Sequence, residues 1–140
     1  MKHIWTVACS HAVVDRDSNN VSLLNIIEQL TIHEAPRPDA ILPIQLDVMT
    51  LWAREDAEIP TTDNSRLRLI SPDGKALGAF ESAVELSSHE RSRAKITFQG
   101  LPLASSGTYK FIVEQKSEEA TRWKRVAEIP LSVTFSEAAS

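Results

Sequence analysis

The chain has 140 residues, fifteen of them Lys or Arg and nineteen Asp or Glu, giving a net charge of -4 at neutral pH. A hydrophobic fraction of 42% beside 24% charged residues is that of a single globular domain, able to bury roughly two-thirds of its unfolded surface, and excludes a disordered polyelectrolyte. The acidic balance disfavours nucleic acid as a partner, one cysteine excludes an internal disulfide or a multi-cysteine zinc site, and no stretch approaches the roughly 20 apolar residues of a membrane helix.

The first residues, MKHIWTVACSHAVVD, lack the apolar core of a signal peptide because Thr6, Ser10 and His11 interrupt the run. With one cysteine, this predicts a cytoplasmic protein. Residues 3–14 alternate as a strand, with His3, Trp5, Val7, Cys9, His11 and Val13 on one face, the face expected to enter the core. Arg16 to Asn20 then supply a turn, since Asp, Ser and Asn side chains bond to their own backbone and tolerate left-handed conformations. Residues 21–32, VSLLNIIEQLTI, fit either an amphipathic helix or a strand. The recurring β-branched residues, and Leu24, Ile26, Leu30 and Ile32 on one face of a strand, favour strand.

Three prolines, at 36, 38 and 43, mark a loop. The next strand, 44–52, turns Ile44, Leu46, Val48 and Trp52 inward. A strand at 65–71 ends in Ser71-Pro72-Asp73-Gly74-Lys75, a turn signal, and is followed by strands at 76–87 and 91–99. Read as a hairpin, these two place Glu85 opposite Arg91, Glu81 opposite Lys95 and Phe80 opposite Ile96. The final strands are 107–116, with Tyr109, Phe111 and Val113 on one face, and 121–135, with Trp123, Ala127, Ile129, Leu131, Val133 and Phe135 on one face. About eight strands without alternating helices predict an all-β fold, a two-sheet antiparallel β-sandwich of immunoglobulin-like or C2-like type. It would form one domain over 1–136, with a disordered tail at 137–140. The run 100-GLPLASSGTYKFIVE-114 resembles the corner of immunoglobulin-like and fibronectin-like domains, where a tyrosine precedes a core strand.

Few residues assemble into recognisable chemistry. On a strand, Cys9 and His11 share a face while Ser10 points away, so a Ser10–His11 dyad is excluded, and Cys9 reads as a buried structural thiol. Asp15, Asp17 and Asn19 match the opening spacing of a calcium loop, but Asn20 stands where glycine is needed and Ile26 where a bidentate glutamate is needed. Cation binding there stays open beside the reading of a solvated turn. There is no dinucleotide, Walker or nucleophile-elbow motif. The triplet Arg91, Arg93, Lys95 could touch phosphate, but reads as a stripe neutralised by Glu81 and Glu85. Trp5, Trp52 and Trp123 each read as core residues. The candidates for a ligand platform are Trp52 and Trp123, the latter being flanked by Arg122, Lys124 and Arg125.

The pattern Ala8-Cys9, Ala12-Val13-Val14-Asp15, Asn20-Val21-Ser22-Leu23 and Asn25-Ile26-Ile27-Glu28 resembles the N-terminal signature of a family of short, uncharacterised bacterial proteins. The resemblance covers about the first third of the chain and implies a β-sandwich in a bacterial cytoplasm, with no activity and no catalytic residue to carry over. The expectation is therefore a non-enzymatic protein-binding or assembly module without cofactor or metal. It would engage another protein or a second copy of itself through an exposed strand edge, and neither nucleic acid nor membrane. The alternative is a small-molecule or carbohydrate-binding domain built around Trp52 or Trp123.

Overall fold

The computed structural model describes residues 1–136. The tail expected at 137–140 lies outside the described residues. Among them are nine strands and no helix: β1 (Lys2–Val14), β2 (Val21–Ile26), β3 (Gln29–Ile32), β4 (Leu46–Ala53), β5 (Thr61–Ile70), β6 (Ala76–Leu86), β7 (Arg91–Phe98), β8 (Gly107–Ser117) and β9 (Lys124–Phe135). They form a four-stranded sheet in the order β2-β1-β4-β7 and a five-stranded sheet in the order β3-β9-β8-β5-β6. The protein is all-β, with the layout of a β-sandwich. Residues 21–32 are strand, as their β-branched composition favours, but two strands in different sheets, with the chain crossing between layers at Ile27-Glu28.

One main core lies between the sheets. Leu46, Val48 and Trp52 from β4, with Ala8 and Phe98, meet Leu67, Leu69, Tyr109, Phe111, Val113, Leu131 and Val133 from the other sheet. Phe98 bridges the layers, its ring 5.7 Å from that of Phe111 and 5.0 Å from that of Phe80. Leu42 and Leu101, paired by an isolated bridge, close one end together with Leu103. The expected turn after β5 is present: Gly74 has φ 88° and donates to the carbonyl of Ser71. At the start of β8, Gly107 has φ 143°, and a Cβ there would come within 2.7 Å of Pro72, so only glycine fits. The Tyr109 hydroxyl donates to the carbonyl of Ser105 at 2.9 Å, fixing that corner.

Four expectations need correction. The sheets are not wholly antiparallel, since β3 runs parallel to β9. Residues 76–87 and 91–99 do not form a hairpin: β6 pairs with β5 and β7 with β4, so consecutive strands sit in different sheets, and Glu81 and Glu85 do not face Lys95 and Arg91 across a ladder. The face of β1 carrying Trp5, Val7 and Cys9 does not enter the main core. A β-bulge between His3 and Trp5 inverts the alternation, so His3 stands opposite Trp52 while the small residues Thr6 and Ala8 are the buried ones that follow. Trp123 is not in the core either. A second bulge, between Val113 and Glu114 in the β8–β9 register, reverses the alternation before Val126, so Arg125 and Trp123 fall on the outer side.

Candidate functional site

Past Cys9 the strands β1 and β2, paired from Cys9↔Ile26 to Val14↔Val21, curl over the outer side of the four-stranded sheet. Two contacts hold this hairpin down. The amide of Ala12 donates to Asp47 Oδ2 at 3.0 Å, and Arg93 Nη2 donates to Asn19 Oδ1 at 2.7 Å. Asp47 and Arg93 stand on β4 and β7, so the hairpin reaches across both strands. Beneath it Cys9, Ala12 and Met49 make a second, smaller core, with Trp5, Val21 and Leu23 half-buried around it. Of the apolar face of β1, Cys9 is thus sealed and Trp5 half-buried, covered by the chain's own hairpin and not by the opposing sheet.

Asp47 anchors this arrangement. Besides the Ala12 amide it accepts the Thr97 hydroxyl at 2.8 Å. Burial pushes its pKa up, but those two hydrogen bonds, with the charges of Lys95 and His11, outweigh it and hold the carboxyl below the usual range. His11 Nδ1 lies 4.0 Å from Asp47 Oδ2, on a side chain mostly in solvent. Cys9 is 0% exposed, and burial, then the nearby Asp47 charge, pushes its thiol pKa up. A raised thiol pKa disfavours the thiolate, so Cys9 and His11 do not assemble an activated nucleophile.

The hairpin turn also accounts for its own polar groups. Asp15 Oδ1 accepts the amides of Asp17 and Ser18 at 2.8 and 3.0 Å, which lowers its pKa. Asn19, at φ 61°, gives its side-chain oxygen to Arg93. Asp15 Oδ1 and Asn19 Oδ1 are thus taken up by protein donors. No cluster of three His, Cys, Asp or Glu side chains suited to a metal occurs among the described residues.

Of the two candidate platform residues, Trp52 is 0% exposed, its ring edge-on to His3 at 5.4 Å, and it offers no face to a ligand. Trp123 lies on the outer side of the five-stranded sheet under two cations, Arg66 Cζ at 4.4 Å and Lys116 Nζ at 5.0 Å from the ring centre. Arg66 and its neighbour Arg68 also donate to Glu114 at 2.9 and 2.7 Å. Both arginines there are thus tied to one carboxylate. The triplet Arg91, Arg93, Lys95 behaves differently: among the described residues none of the three lies within ion-pair distance of a carboxylate.

A cleft of about 450 Å³ opens where the hairpin turn meets β7, lined by the apolar Trp5, Val21 and Leu51 and by Asn19, Arg91 and Arg93. Sequence reasoning missed both this cleft and Asp47. The available signal was a single carboxylate inside the apolar run 44-IQLDVMTLW-52, which demands a buried partner. No helix of the described residues is long and apolar enough to cross a membrane. Compared with known protein families and with curated proteins, the chain finds no match in either, so the geometry alone carries the functional reading.

Proposed function

We propose that this protein is a non-enzymatic binding module that engages a second polypeptide strand along the free edge of β2. The observation that carries the reading is the outer side of the hairpin, where Leu24 is 52% exposed, Ile26 56% and Val13 41%. In the register Ile26 stands opposite Cys9, Leu24 opposite His11 and Ser22 opposite Val13, and although Cys9 is sealed in the small core, Ile26, Leu24 and Val13 are open to solvent. β2 pairs only with β1, leaving its other edge open to main-chain hydrogen bonds from an added strand. The remaining edges are better guarded. β7 carries Arg91, Arg93 and Lys95, β6 carries Glu81 and Glu85, and β3 is four residues long.

Within this reading the sandwich is of immunoglobulin-like and not C2-like type. The Tyr109–Ser105 corner and the parallel pairing of β3 with β9 support that choice. The free, buried Cys9 supports placing the module in the reducing cytoplasm. The test is mass by light scattering, with backbone NMR of β2, comparing the native chain with the double variant Leu24→Lys, Ile26→Lys. We expect either a dimer of the 15.5 kDa chain or a stable complex with a partner, lost in the variant. A strictly monomeric chain that retains no partner, or a variant that associates as the native chain does, overturns the reading.

A further inference from the structure

We propose that the cleft between the hairpin turn and β7 is a binding site for a small organic anion that carries a flat apolar ring. The site is separate from the β2 edge, and neither proposal depends on the other. Its geometry follows from the ladder. Arg93 pairs with Leu51 on β4, and Leu51 pairs with Trp5 on β1, so guanidinium, isobutyl group and indole stand in one transverse row on the outer face. Arg91, two residues along, pairs with Ala53 and projects on the same side. The hairpin turn rises over this row and converts a flat face into a concavity of about 450 Å³, the volume of a small-molecule site.

The chemistry of the lining fixes the class of ligand. A guanidinium presents five donors in a planar fork matched to a carboxylate or phosphate. Arg93 uses one of them, on Asn19, and Arg91 makes no side-chain hydrogen bond among the described residues. By contrast, Arg66 and Arg68 are consumed by Glu114, and Arg54 by the carbonyls of Leu86, Ala57 and Ser87. Lys95 lies further along β7, where its charge acts on Asp47. Two guanidinium groups with donors to spare, lining one cleft with Trp5, Leu51 and Val21, call for a negative head and a planar tail. The chain as a whole is acidic, at -4, so an anion held here is held by these local groups and not by a general attraction.

The head can be a phosphate ester or a carboxylate, and the experiment separates the two. Phenyl phosphate, benzoate, inorganic phosphate and benzyl alcohol are titrated into the full chain while the Trp5 indole N–H and the Arg93 Nε–H signals are followed by NMR. We expect saturable shifts of both signals with phenyl phosphate or benzoate, the tighter of the two naming the head group. Inorganic phosphate and benzyl alcohol should each bind at least about tenfold more weakly, lacking one half of the recognition. The double variant Arg91→Gln, Arg93→Gln should weaken the ring-bearing anion about tenfold or more, and Trp5→Leu should abolish its advantage over inorganic phosphate. The buried Trp52 indole signal reports in every variant that the main core is intact. Absence of any Trp5 shift with millimolar phenyl phosphate and benzoate overturns the proposal, as do shifts that persist undiminished in the arginine variant.

Discussion

Glu114 projects from the outer side of the five-stranded sheet and is nevertheless buried, because Arg66 and Arg68 close over it. Burial pushes its pKa up, but the hydrogen bonds and charges of the two arginines outweigh that and hold it below the ordinary glutamate range. A carboxyl whose folded pKa is depressed stabilises the fold above its unfolded pKa, about 4.3, and that stability is lost as pH falls through the lower folded value. Asp47 acts in the same direction. We expect the denaturant midpoint of the native chain to fall as pH drops below about 5. Glu114→Gln should be less stable at pH 7 by about 1–3 kcal/mol and should show a flatter profile. An unchanged profile in the variant would mean that the arginines, not the carboxylate, set the local stability. None of this was visible in the sequence, where Glu114 is one acidic residue among nineteen. Its partners lie 46 and 48 positions away and meet it only through the β5–β8 register.

The β1–β2 hairpin is the element that departs most from a simple sandwich. Its overlap is held by a main-chain donor, Ala12, aimed at a side-chain acceptor, Asp47, with the Cys9 thiol sealed beneath. Native Cys9 should therefore react with a thiol reagent only slowly until denaturant is added. Asp47→Ala leaves the Ala12 amide and the Thr97 hydroxyl without their acceptor, a cost of about 1–3 kcal/mol, and should accelerate labelling of Cys9 well before global unfolding. Labelling at the native rate in that variant would show that the small core alone holds the hairpin. The strand character of 3–14 and 21–32 and the polar turn between them were legible, because alternation and Asx chemistry are local properties. Which face was inward was not. A single inserted residue reverses every side chain beyond it, and the bulges near His3 and Val113 sent both Trp5 and Trp123 to outer faces.

At the scale of the molecule, Trp52 is the largest wholly buried side chain and sits where β4 meets the core shared by both sheets. Its indole Nε1–H has no hydrogen-bond partner among the described residues. Trp52→Ala should cost about 3–5 kcal/mol, the sum of lost burial and a residual cavity. Trp52→Phe should cost less than half as much, since it keeps most of the ring and removes the unpartnered donor. Equilibrium denaturation measures both. Equal losses would mean that the N–H is satisfied in solution, by water or by local rearrangement. The choice of Leu46, Val48 and Trp52 as core residues was legible, because that strand carries no bulge and its alternation survives intact. The expected hairpin between 76–87 and 91–99 failed for a topological reason. Complementary charges and rings do not say whether two strands are neighbours in one sheet or lie in opposite layers, and Phe80 reaches β7 at Phe98 across the interlayer space and not at Ile96 along a ladder.

The amino-acid sequence by itself determined the all-β class, the positions of most strands and turns, and the burial of Cys9, since each follows from the spacing of apolar residues and the backbone preferences of Gly, Asn, Asp and Pro. Tertiary structure alone decided which strands are neighbours, that β3 runs parallel to β9, and that a hairpin folds back to bury Asp47 and frame a cleft with Arg91, Arg93 and Trp5. The physical reason is one of range. Propensity and alternation act over a few residues, whereas register, bulges and the pairing of a charge with its partner depend on contacts between segments tens of residues apart.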